Sequence, residues 1–159
     1  MIVVIQCAAS KRPGAGHLLS AVRMPMMFVA NPEAAPGGCA HEYARPDDPS
    51  GTGLSWRQVV AEYNASARTA GGNALGLYPA YQLYQNKIYE KLVCRLGSQN
   101  VCILSAGWGL VSADFLTPSY NITLARAPRV TCAAGVKIAT RISGCFRLRQ
   151  RTISYFLAA

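Results

Sequence analysis

Two short stretches hold the side chains best suited to chemistry. The first is "QCAASK", residues 6–11, where Gln6, Cys7, Ser10 and Lys11 bring an amide, a thiol, a hydroxyl and an amine within six positions. Gln6 can donate and accept hydrogen bonds at once, as the edge of a nucleobase requires. Lys11 can meet a phosphate or neutralise a leaving group. The second is "SAGWGLVSAD", residues 105–114, which sets Ser105, Gly107 and Trp108 in a bare turn and places Asp114 six residues after the tryptophan. Small residues let a ligand approach the backbone, and Trp108 offers a plane for stacking. The same residues are equally compatible with a plain turn above a buried tryptophan. Only seven acids occur in the chain, and Asp114 is the only one after residue 90, so any carboxylate chemistry there falls to it.

The charge balance points to the kind of partner. Sixteen Lys and Arg stand against seven Asp and Glu, a net charge of +9. A surface so basic attracts polyanions and speeds encounter with them, so nucleic acid is the expected partner. Arg12 and the tail residues Arg147, Arg149 and Arg151 are candidate phosphate contacts. None of the six cysteines forms a C-x-x-C pair. Cys39-Ala40-His41 is at most half of a metal site, and no second pair at ligand spacing accompanies it. No metal and no cofactor are expected. Met1–Ile5 is too short for a signal peptide and no run reaches membrane-spanning length, so a cytoplasmic protein with reduced thiols is expected.

The elements that must position these residues follow from the pattern. "IVVI", residues 2–5, is a β-branched run suited to a central strand buried on both faces. Residues 13–54 are rich in Pro and Gly and predict a long irregular excursion with a short helix or strand near 22–30; segments of this kind tend to be functional. Ser55 is a helix N-cap for "WRQVVAEYNASA", closed by Gly71-Gly72. Pro79 opens a second helix, "PAYQLYQNKIYEKLVCRL", with Tyr81, Tyr84, Ile88 and Leu92 at helical spacing and Gly97 at its end. Tyr84 at that spacing reads as core, or as the wall of a pocket. "VCILS", 101–105, is the second clear strand, and 120–125 a short strand or extended loop. A helix within "VTCAAGVKIATRI" and a strand or helix in "CFRLRQRTISYFLAA" complete the basic segment 126–159. The succession predicts one α/β domain over 1–159, with a mostly parallel sheet flanked by helices in three layers. In such sheets ligands bind beyond the carboxyl ends of the strands, which would make residues 6–11 and 105–109 neighbours.

These segments resemble a known family. "IQCAASK" is similar to the strand-then-Ser-x-Lys opening of small microbial and phage domains that include the YaaA peroxide-stress proteins and a domain of archaeosine-type tRNA modification enzymes. "ILSAGWGLVSADFLTPSY" resembles their second signature, although Ser119 separates Pro118 from Tyr120 where the family joins Pro and Tyr. "PAYQLYQNKIYEKL" is similar to their intervening helix. The resemblance covers roughly residues 1–11 and 75–125. It implies a fold like that of uracil-DNA glycosylases, with a base pocket at the strand ends, and some members of this fold group are anti-phage DNA glycosylases acting on glucosylated hydroxymethylcytosine. On that footing the chain would flip a modified base out of double-stranded phage DNA and hydrolyse its N-glycosidic bond. Asp114 would stabilise the cationic sugar. Gln6, Cys7 and Ser10 would read the base, Lys11 and Ser105 would bind phosphate or assist the leaving group, and Trp108, Tyr120 and Tyr84 would stack or close the pocket. Two alternatives remain: a DNA-binding stress protein without catalysis, and a base-exchange or nucleotide-processing enzyme. His17 and His41 fall in the excursion, where either could reach the pocket as acid or base.

Overall fold

A computed structural model describes residues 1–37 and 40–124, together with the backbone of 153–156. The expected helix at 130–142 and the arginines Arg147, Arg149 and Arg151 lie outside the described residues. The molecule is a mixed α/β structure with small, mostly parallel sheets. Strand β1 (Ile2–Gln6) forms at the β-branched run. Its side chains alternate, with Val3 and Ile5 buried and their neighbours half-covered, rather than buried on both faces as expected.

The excursion contains β2 (Met26–Val29) and β3 (Glu42–Ala44), which pair in parallel. Helix α1 (Trp56–Ala70) begins where Ser55 predicts. The Ser55 hydroxyl accepts from the Gln58 N–H, and the Gln58 side chain accepts from the Ser55 N–H. This reciprocal cap satisfies two of the free donors of the first turn. Gly71, at φ +68°, ends the helix in the left-handed region. Trp56, Val60 and Asn64 form its buried edge.

The second expected helix is broken. A short strand β4 (Tyr78–Pro79) leads into α2 (Ala80–Leu83), the chain is extended at Tyr84, and α3 (Ile88–Leu96) follows. The break has a hydrogen-bonding cause. The Leu83 carbonyl accepts from the Arg12 N–H at 2.7 Å, and the Gln85 N–H donates to the Ser10 carbonyl at 3.2 Å. These backbone groups are committed to the loop after β1, so they cannot continue a helical ladder, and Tyr84 turns inward.

Strand β5 (Val101–Ser105) lies parallel to β1, with Gln6 opposite Leu104. The chain then reverses through residues 106–108 into β6 (Gly109–Ser112), antiparallel to β5. Gly109, at φ +76°, supplies the positive dihedral that closes this hairpin. The short strands β7 (Leu116–Thr117) and β8 (Tyr120–Asn121) pair with β4 and β2. Strand β9 (Ile153–Phe156) lies parallel to β1 on its other side, so the main sheet runs β6-β5-β1-β9. One cluster of buried side chains, from Ile5 to Ile122, joins the sheets and helices. Asn64 fastens α1 to β7: its amide donates to the Leu116 carbonyl and accepts from the Leu116 N–H, both within 2.9 Å.

Candidate functional site

The carboxyl ends of β1 and β5 meet as the parallel pairing requires. The Cys7 N–H donates to the Leu104 carbonyl at 3.0 Å, and the Ala106 N–H points at the Cys7 sulfur at 3.3 Å. Below them runs a chain of hydroxyls, with Tyr84 Oη 2.8 Å from Tyr120 Oη and Tyr120 Oη 2.9 Å from Ser105 Oγ. Ser105 Oγ also accepts from the Trp108 N–H at 3.2 Å. Tyr84 is 0% exposed and Ser105 3% exposed. Burial raises both phenols: Tyr84 and Tyr120 are held far above the ordinary tyrosine value. Tyr89 stacks on Tyr84 with ring centres 4.7 Å apart and donates to the Gln6 carbonyl, and burial pushes it up to about 12. Sequence reading took Tyr89 only as part of a helix. Its position one turn after the break at Tyr84 was hidden by the assumption of a continuous helix.

Lys11 covers this cluster from the solvent side. Its Nζ stands 4.1 Å from the centre of the Tyr120 ring and 3.4 Å from the Ala9 carbonyl. No carboxylate lies within ion-pair reach of it among the described residues. Burial holds the amine below the ordinary lysine value, partly offset by the neighbouring Cys7 thiol. The fold therefore keeps a half-buried cation that, among the described residues, rests on an aromatic face and a carbonyl beside Cys7. Gln6 and Cys7 are half-covered beside it, and Ser10 is exposed. Arg12, the adjacent cation, is already paired with Glu90 of α3, so a phosphate would have to displace that carboxylate.

The turn serves the protein itself, contrary to its reading as a bare platform. Trp108 is 5% exposed and packs edge-on against Phe28 at 4.9 Å and against Tyr120 at 6.3 Å. It is a core residue, and no face of it is offered to a base. Its indole N–H is buried without an acceptor among the described residues. Gly107 is small because a Cβ there would stand 3.2 Å from the Tyr120 ring. The Tyr120 ring fills the space over Gly107.

Asp114 lies at the other end of the sheet. Ser105 pairs with Gly109, Cys102 with Ser112, and the Ala113 N–H donates to the Val101 carbonyl. The hairpin thus returns the chain along β5, and Asp114 follows where β5 begins, roughly 13 Å from Ser105 at the rise of an extended strand. There it is exposed, accepts from Ser112 Oγ at 2.6 Å, and borders an open cleft of about 360 Å³ with Asn64, Arg68 and Asn73. Of the predicted site residues, Gln6, Cys7, Ser10, Lys11, Ser105, Tyr84 and Tyr120 come together, and Asp114 does not join them. His17 and His41 pack on each other, with ring centres 5.1 Å apart.

Among the described residues no group of three or more His, Cys, Asp or Glu is placed to hold a metal, and no helix is long and apolar enough to cross a membrane. Comparison with protein-family models, curated proteins and solved structures found no match.

Proposed function

We propose that this protein is a DNA glycosylase with a uracil-DNA-glycosylase-like fold, acting on a nucleotide extruded from phage DNA, with a modified cytosine such as the glucosylated hydroxymethyl form as its base. The observation that carries this reading is Lys11: a half-buried ammonium at the carboxyl end of β1, seated on Tyr120 and lacking a carboxylate partner among the described residues. A cation so placed favours an anion that arrives with the substrate or develops during reaction. In glycosidic cleavage the oxygen of water bonds to C1′ and gives up a proton to solvent while the C1′–N bond breaks, and the electron pair leaves with the base. Lys11 stabilises that departing nitrogen and can protonate it. Its lowered affinity for the proton makes it a better acid than an ordinary lysine. Gln6, which ends β1, and Cys7 and Ser10 in the loop after it would contact the base. The net charge of +9 supports binding to the backbone.

A second reading, binding to distorted DNA without base release, is favoured by one observation: Asp114 stands at the far end of β5, away from Lys11. One experiment separates the two. Modified and unmodified duplexes are incubated with the protein, released bases are identified by mass spectrometry, and abasic sites are revealed by alkaline cleavage. The glycosylase reading requires free modified base and alkali-labile strands. Retarded DNA with neither product supports binding alone.

A further inference from the structure

The chain has two histidines in 159 residues, and the fold brings them together. His17 and His41 are 24 positions apart, in irregular segments on either side of β2. Both segments are bonded to the same dipeptide: the Met26 N–H donates to the Leu18 carbonyl at 2.8 Å, and the Glu42 N–H donates to the Pro25 carbonyl at 3.0 Å. The backbone before His17 is fixed as well. Gly16 donates to the Gly76 carbonyl and accepts from the Ser119 N–H, and a Cβ at Gly16 would collide with the Leu75 carbonyl. The backbone is therefore anchored on both sides of His17 and directly after His41, and both rings are half-exposed.

The geometry matches a shared ligand. Ring centres 5.1 Å apart fit two imidazoles on one tetrahedral ion, for which metal–nitrogen bonds of about 2.0–2.1 Å place the centres about 5 Å apart. The tautomer of His17 is also fixed. Its Nδ1 lies 3.0 Å from the Met26 carbonyl oxygen. A carbonyl can only accept, so Nδ1 carries a proton, and in the neutral ring Nε2 keeps its lone pair. A backbone carbonyl behind the ring is the usual support of a metal-ligating histidine. From sequence alone, Cys39-Ala40-His41 has no second pair at ligand spacing; the fold brings His17 to His41.

We propose that His17 and His41 form a binding site for a borderline divalent transition metal of the zinc class, for which neutral imidazole is a favoured ligand, with water completing the coordination. Such an ion would clip the loop after β1 to the segment entering β3, stiffening the excursion that both belong to.

The probe is zinc ion alone, added to chelator-treated full-length protein. With only two histidines, the ring resonances in NMR are simple to follow. One equivalent of Zn²⁺ should shift the ring signals of both residues together and raise the Tm, while Mg²⁺ at the same concentration should do neither. By calorimetry, His17→Gln and His41→Gln should each weaken zinc binding at least about ten-fold, with unchanged circular dichroism. Ring signals that do not move, or that move for one histidine only, would overturn the site. So would undiminished zinc affinity in the doubly substituted protein, which would place the ion on other ligands such as the thiols.

Discussion

At Lys11, burial disfavours the ammonium more strongly than the neighbouring thiol favours it, and the amine titrates below the ordinary lysine value. In the pH window between that depressed value and the ordinary one, the unfolded chain holds more protons than the folded chain, so this residue makes stability rise with pH there. Below the window the charge is carried at a net cost. Lys11→Met, which keeps the length and removes the charge, should therefore melt at the same temperature as the parent or slightly above it at neutral pH, in a thermal scan by circular dichroism. A clear fall in Tm would mean that the lysine is held for structure. If the ammonium acts on the leaving base, base release should also fall on the alkaline side at a lower pH than an ordinary lysine would give, and a pH–rate profile reads this directly. Trp108 behaves in the opposite way. It is buried against Phe28 and Tyr120, so Trp108→Ala should cost about 3–5 kcal/mol in urea unfolding, and any loss of DNA affinity should follow the loss of fold.

Among the elements, those governed by local chemistry were legible and those governed by distant partners were not. The cap at Ser55, the stop at Gly71 and the strands at 2–6 and 101–105 follow from side chains within one turn or one strand of each other. The apolar spacing from Pro79 never falters and predicts one continuous helix. It breaks because Leu83 and Gln85 bond the backbone of Arg12 and Ser10, more than seventy positions away in sequence. The hairpin after β5 has a local signal in three residues, a glycine at 109, then "LVS" able to pair back on "VCILS". That hairpin carries Asp114 to the edge where β5 begins, since two strands of a hairpin bring their far ends to the same edge. Asn64, unremarkable in sequence, fastens α1 to β7 through two hydrogen bonds to Leu116 and donates a third within its own helix to the Val60 carbonyl. Asn64→Ala leaves the Leu116 N–H without its acceptor and should destabilise the protein by about 1–3 kcal/mol in denaturant titration. Unchanged stability would mean that water replaces the clamp.

A net charge of +9 predicts DNA affinity that falls steeply with salt, with a log–log slope of about −0.9 for each phosphate neutralised. Replacing Arg147, Arg149 and Arg151 together by Ala should flatten that slope if the tail contacts the backbone, and an unchanged slope would remove it from the interface. The working end is the more central matter. Lys11, Ser105 and Tyr120 cluster where β1 and β5 end, and Asp114 stands where β5 begins. The most direct test is single-turnover base release from glucosylated-hydroxymethylcytosine DNA at saturating protein, comparing the parent with Lys11→Met and Asp114→Asn. The account predicts release slowed at least about a hundred-fold in Lys11→Met, the usual scale for a lost proton donor, and a near-parental rate in Asp114→Asn. A parental rate in Lys11→Met with a collapsed rate in Asp114→Asn would contradict it and move the chemistry to the opposite end of the sheet.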